Sequence, residues 1–458
     1  MTLTLLLGIG ISLALSLALQ SPLNASDTLV LHAWVCALAV LWLGSLLLQN
    51  SLPRLPRTFW VTLALLTGLP YLSHFLSPLQ YYSRMGWYRW ADGIGLLFLA
   101  AQLPEEGKRK LLQILRWTGW AVLLVAAPLG WFSNPNSLAG YILLILPVAL
   151  REKDRPLTLG LFLLLLWTRS MGAWLALFLS GGWIYRNHPL ARRLFPGLAL
   201  LAALALVYSL TAGNPSHRWF WWKSAWNMAA AAPYWGHGPE TFAYIFPSFR
   251  TLTEGKTGLS SLYAHQYFLQ LAAEMGLPFT LLWIGYLAGS LLRLERTLRF
   301  ALGALLLHGL VDYSPSLTPH HFTLCLMLAF SYAPQGNRIP LPGRASFCAL
   351  LLLAGWTLGY ASFLAGQIQS TENPQIHCTQ AKIHAMNYEK TKGPSEIYRA
   401  LACQKRCVEL NPYRTASWMD LAWFYRLAKD ERQARESFAR AKQLEPNHPA
   451  VLHYETNR

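Results

Sequence analysis

Long apolar runs separated by short polar connections fill residues 1–366, and the pattern changes after that point. A helix needs roughly 20 apolar residues to cross a bilayer. Runs of that character lie near 2–20, 28–49, 57–76, 88–103, 112–130, 136–150, 157–169, 171–185, 194–212, 277–293, 297–312, 318–333 and 345–366. The pair at 157–169 and 171–185 is short and nearly abuts. The first run lacks a basic leader and is longer than a signal core, so a retained first span is expected. Between 213 and 276 the chain is too polar and too aromatic to span. The predicted fold is all-α: a polytopic membrane domain of about 12–13 spans over 1–366, with an extramembrane loop at 213–276, and a helical domain over 367–458.

The basic residues orient these runs. Alternate connections carry Arg54 and Arg57, then Lys108, Arg109 and Lys110, then Arg151, Lys153 and Arg155. Arg186, Arg192 and Arg193, then Arg293, Arg296 and Arg299, then Arg338 and Arg344 continue the series. Positively charged loops stay in the cytoplasm, which puts loop 213–276 and the tail on the opposite side. The residues Asn134, Asn136, Arg169 and Asp312 fall on that outer side too.

Composition agrees with a membrane protein. Of 458 residues, 54% are hydrophobic and only 13% charged, against about 25% charged in soluble proteins. The net charge of +17 therefore reflects topology rather than nucleic-acid binding. Cys36, Cys325 and Cys348 lie in apolar runs and read as small buried hydrophobes. Cys378, Cys403 and Cys407 lie in the tail, where one pair is open to oxidation outside the cytoplasm. No cysteine has zinc-ligand spacing with a histidine, so neither metal nor cofactor is expected. Phosphate loops, dinucleotide fingerprints and nucleophile elbows are lacking.

The candidate chemistry sits on the outer side. His265, in AHQYFLQLAAEMG, falls in the first turn of a predicted amphipathic helix, as a proton acceptor or as a capping residue. Arg218 heads RWFWWKSAW; it suits a diphosphate above an aromatic floor that includes Trp222, or snorkels from an interfacial belt. Arg169, in WTRSMGAW, is either a functional charge or a helix-end arginine. Asn134 and Asn136 open a span, capping it or holding a sugar hydroxyl. Arg84 and Arg89 belong to an aromatic-basic patch with Tyr81, Tyr82, Trp87, Tyr88 and Trp90, an interfacial belt with substrate contact open to it. Gly236, Gly238, Pro239 and Glu240 predict a turn. In the tail, Trp418, Leu421, Ala422, Tyr425, Ala434, Phe438, Ala441 and Pro446 match the tetratricopeptide pattern, and Ala400, Cys407 and Pro412 a degenerate repeat before it.

NPNSLAGY, TRSMGAW, the arginine of RWFWWKSAW, His265 with Gly276, and HGLVDY (308–313) occur in an order that resembles the O-antigen ligase family of bacterial membrane glycosyltransferases. The likeness covers roughly residues 80–335. It implies a multi-helix C-superfold glycosyltransferase of the bacterial inner membrane, metal-independent and inverting. It further implies an undecaprenyl-diphosphate-linked glycan donor and a lipid, glycan or protein acceptor. By the resemblance Arg218 and Arg169 hold the diphosphate and His265 activates the acceptor. In the family the arginine directly precedes the glycine; here Met171 stands there, and Arg169 is about 200° away around an ideal helix. Two other classes fit the architecture: a transporter or lipid flippase, for which intramembrane charge and repeated halves are sparse, and an assembly scaffold working through the tail.

Overall fold

The structure, a computed structural model, describes residues 2–19, 25–52, 55–132, 134–211, 218–251, 254, 261–332, 339–368 and 372–456. Each of the thirteen apolar runs coincides with a helix. In chain order these are α1 (Thr2–Ala18), α2 (Ala25–Leu48), α3 (Arg57–Phe75), α4 (Gln80–Ala101) and α5 (Glu105–Ala121), which continues as a π-helical turn Val122–Ala126. Next come α6 (Pro135–Arg151), α7 (Arg155–Thr168), α8 (Met171–Ile184) and α9 (Pro189–Thr211). After α10 (Arg218–Ala231) and the short α11 (Phe242–Ile245) in the loop, α12 (Tyr267–Arg293), α13 (Arg296–His308), α14 (Thr318–Leu328) and α15 (Gly343–Ile368) complete the membrane-type helices. Three helical segments, Ser26–Leu48, Tyr267–Arg293 and Gly343–Leu364, are long and apolar enough to cross a membrane by themselves; α1, α6, α7 and α8 are shorter apolar helices.

Burial separates a protein-facing centre from a lipid-type exterior. In α6 every side chain from Ser137 to Ala149 is buried, and α14 is buried from Pro319 to Leu328. Helices apolar all round and covered on every side form the middle of such a bundle. Leu163 on α7, Leu201 on α9, Leu281 on α12 and Leu352 on α15 are instead exposed, as apolar side chains facing acyl chains must be. At the end away from loop 213–276, Ser51 and Leu52 pair antiparallel with Pro340 and Ile339.

One helix is broken on purpose. Within α12, Gly276 has φ 82° and ψ 166°, which glycine alone adopts without strain. The turn anticipated at 236–240 inserts there, with Gly236 at φ 65° and Gly238 at φ 107°. It takes up two freed carbonyls, His237 N–H donating to Ala273 O (3.1 Å) and Gly238 N–H to Glu274 O (2.7 Å), while the freed Leu277 N–H donates to Pro233 O just before the turn (2.8 Å). Non-helical backbone within a membrane-type helix is tolerated only where protein satisfies it.

The tail folds as α16 (Pro374–Thr391) with α17 (Pro394–Leu410), α18 (Thr415–Leu427) with α19 (Glu431–Leu444), and a final α20 (Pro449–Thr456). Cys378 and Cys407 form a disulfide across the first hairpin; Cys403 is free. The tail docks on the loop. Tyr413 packs on the cluster of Ala225, Met228, Phe242 and Phe246. Arg250 pairs with Glu445 at 2.7 Å, each side chain only 6% exposed, and Arg84 pairs with Glu372.

Candidate functional site

The site begins with backbone. His265 lies two residues before α12, not in its first turn, because Gln266 is the N-cap and accepts from Leu269 N–H. Its φ is 54°, a left-handed conformation that costs free energy unless its surroundings enforce it. They do so here. Trp222 Nε1–H donates to the His265 carbonyl (3.1 Å), Trp221 stacks on the imidazole at 4.8 Å, and Tyr313 meets it edge-on at 4.8 Å. Tyr313 in turn stacks on Tyr263 at 4.0 Å and accepts from Ser137 Oγ–H at 3.2 Å.

Arg218 opens α10, the helix whose next turn supplies Trp221 and Trp222. Its Nη1 donates to Val311 O (2.8 Å), and its Nη2 lies 3.9 Å from Asp312 Oδ2. His265 Nδ1 lies 3.9 Å from that same oxygen. Asp312 is 1% exposed. Its other oxygen accepts from Ser314 Oγ–H (2.6 Å) and Ser314 N–H (3.0 Å), while Oδ2 and His265 Nδ1 have no hydrogen-bond partner. Burial alone raises a carboxyl pKa. Here the histidine contacts and the Ser314 hydroxyl outweigh it and hold Asp312 well below the usual carboxylate range. Asp312 is therefore an anion at neutral pH, facing one imidazole and one guanidinium.

The surrounding helices fix this carboxylate. Asn134 caps α6, its Oδ1 accepting from Asn136 N–H (2.8 Å). Asn136 O accepts from Ser314 Oγ–H (3.4 Å), which ties the α6 start to the Asp312 turn. Gly140 admits that turn: a Cβ there would sit 2.6 Å from Ser314 Cβ and 3.3 Å from His308 Nδ1. A Cβ on Gly172 would stand 2.9 Å from Val311 and 3.4 Å from His308. The glycines of NPNSLAGY and TRSMGAW thus make room for the HGLVDY segment.

His265, Arg218, Trp222 and the Asn136 backbone converge, and Asp312 joins them. The remaining candidates stand elsewhere. Arg169 caps α7 in a left-handed conformation, φ 53°, and is exposed; among the described residues it forms no ion pair. Arg84 is committed to Glu372. Arg89 is buried, paired with Glu240 and donating to Thr28 Oγ1 at 2.7 Å.

Sequence reasoning passed over two groups. Asp312 was placed on the outer side and inside HGLVDY, with no signal that it faced His265. Deep between α2, α4 and α15, His32 Nδ1 pairs with Asp92 (2.5 Å) and its Nε2 bonds Tyr360 OH. Cys36, one turn from His32, completes a set whose ligand-type atoms lie within 4.8 Å of one another. Both imidazole nitrogens are already occupied, so the set acts as a hydrogen-bonded clasp.

Chemically, an imidazole beside an exposed face of a guanidinium can accept a proton while the guanidinium receives an anionic leaving group. No curated protein matches the sequence. Residues 156–284 match the family model described as O-Antigen ligase, a stretch that holds Arg169, Arg218 and His265, with Asp312 beyond its end. That match and the helical membrane-type architecture make this stretch similar to the O-antigen ligase family and support a membrane enzyme that transfers glycans.

Proposed function

We propose that the protein transfers a glycan from a polyprenyl-diphosphate donor to an acceptor hydroxyl in one inverting step on the periplasmic face of the inner membrane. The convergence of His265 and Arg218 on buried Asp312 carries this reading. His265 takes the acceptor proton, and the acceptor oxygen bonds to the anomeric carbon from the side opposite the diphosphate. The bond from that carbon to the diphosphate breaks, and the departing anion is received by Arg218. Asp312 orients His265 and stabilises its imidazolium. Aromatic walls from Trp221, Trp222, Tyr263 and Tyr313 suit sugar faces. Charge on the leaving group is met by arginine, so no metal is required.

The basic connections support the orientation, as does the Cys378–Cys407 disulfide, since disulfides persist in oxidising compartments. The tail is read as a pair of tetratricopeptide-like hairpins that holds a partner or acceptor beside the site. Lipid A core, a growing chain or a protein hydroxyl can each serve as acceptor by the same chemistry. Glycan mass spectrometry of a deletion strain distinguishes them by what is lost.

Transfer by purified protein from a polyprenyl-diphosphate glycan tests the mechanism. His265→Ala is expected to insert normally and to lower transfer by about 100- to 10,000-fold, the usual weight of a general base. Arg218→Ala weakens donor use, and lysine rescues poorly because it lacks the fork. Activity persists in chelator. Wild-type turnover by His265→Ala removes the histidine from the mechanism.

A further inference from the structure

One hollow is lined by none of the residues around His265. It has a volume of about 660 Å³ and lies where α6, α7, α8, α9 and α13 meet, at the end of α6 opposite Asn134. Its walls include Leu146, Phe162, Leu177 and Phe195, and Lys153 and Arg155 stand on its rim. Leu159 and Phe162 of α7 line it and are also exposed, 60% and 40%. The hollow is therefore reached from the apolar exterior of the bundle, where the available molecules are lipids.

The rim is charged in a particular way. Two neighbouring basic residues are paired, Arg151 with Glu295 at 3.0 Å and Arg116 with Asp154 at 3.9 Å. Lys153 and Arg155 have no carboxylate within 4 Å among the described residues. Two unneutralised cations above an apolar hollow match a phosphate above acyl chains, and basic pockets between membrane helices recognise such headgroups. Asp154 between them points elsewhere, capping α7 at Leu157 N–H (3.2 Å) and accepting from Trp120 Nε1–H (3.0 Å).

We infer that this hollow is a binding site for an anionic phospholipid, its acyl chains between α7 and α8 and its phosphate on Lys153 and Arg155. The site is separate from the transfer chemistry and stands whether or not that mechanism holds.

The test uses the full chain, stripped of lipid in neutral detergent. Native mass spectrometry then follows retention of phosphatidylglycerol or phosphatidylcholine with the same acyl chains. Wild type is expected to retain phosphatidylglycerol at least tenfold better. Lys153→Asn with Arg155→Gln removes both charges; asparagine suits position 153, where φ is 56°, because it tolerates left-handed backbone. That double variant should bind phosphatidylglycerol about 30-fold more weakly, the joint weight of two basic groups at a headgroup, and lose the preference. Leu159→Trp, which crowds the hollow and keeps the charges, should weaken both lipids. Equal retention of the two lipids by wild type overturns the assignment. So does unchanged phosphatidylglycerol binding by the double variant, or displacement of the lipid by a long polyprenyl phosphate alone.

Discussion

Asp312 is the residue on which the proposed chemistry converges. It faces His265 and Arg218 through one oxygen and is held by Ser314 through the other. Asp312→Asn keeps the shape and removes the charge. Transfer is expected to fall at least tenfold, up to the hundredfold at which a general base's contribution begins, with donor binding changed less than turnover. The stability effect has a defined sign. A carboxyl whose folded pKa is depressed stabilises the fold above its unfolded pKa, and that stabilisation is lost as pH falls through the folded value. The stability gap between wild type and Asp312→Asn should therefore be constant near neutrality and shrink only below about pH 4, the ordinary aspartate value. A gap that closes between pH 8 and 5, in thermal scans, would contradict the assigned charge. His265 and Arg218 were singled out in the sequence, each with a structural role left open beside the chemical one, and the structure brings both within 3.9 Å of Asp312. The role of Asp312 was not legible, because it depends on the 3.9 Å approach of two segments 47 residues apart in number, 265 and 312.

At the scale of elements, the break in α12 was half visible. Gly276 was singled out, and 236–240 read as a turn. That the two interlock was hidden, since it rests on which carbonyls the break releases. A Cβ on Gly276 would lie 2.5 Å from Tyr234 C and 2.8 Å from Trp235 N. Gly276→Ala is thus expected to destabilise the protein by upward of about 2 kcal/mol through strain and overlap together, and to lower transfer, because His265 directly precedes the N-cap of α12. Thermal midpoint and transfer measured on one preparation check this. The clasp on α15 behaves differently. Tyr360→Phe deletes the hydroxyl that meets His32 and should cost about 1 kcal/mol with transfer retained. Loss of transfer without loss of stability would point to a functional role for the clasp. Apolar periodicity located α2, α4 and α15, yet it says nothing of which polar side chains in them meet.

For the whole molecule, all thirteen apolar runs became helices because continuous hydrophobicity over that length leaves a chain few alternatives. Their mutual arrangement was not legible, since side chains between apolar helices interlock by shape, which composition does not record. Two helical hairpins cannot bury a full core by themselves, so the tail needs a neighbour to lean on. It leans on the loop through Arg250 and Glu445. Glu445→Ala should weaken that docking by about 2 kcal/mol, the weight of a hydrogen bond between charged groups, and should release the tail faster in limited proteolysis near residue 372. Unchanged cleavage kinetics would show that the ion pair contributes nothing.

Arg250 also faces Glu254 at 3.9 Å, and Glu254 accepts from Ser224 Oγ–H of α10 at 2.9 Å, on the helix that begins with Arg218. The two halves of the chain are consequently not free to diversify independently. A tail exchanged for a relative's without an acid at the position of Glu445 removes the nearer counter-charge of Arg250 and slackens a brace of the arginine helix, so grafts that alter acceptor choice must bring their own acid.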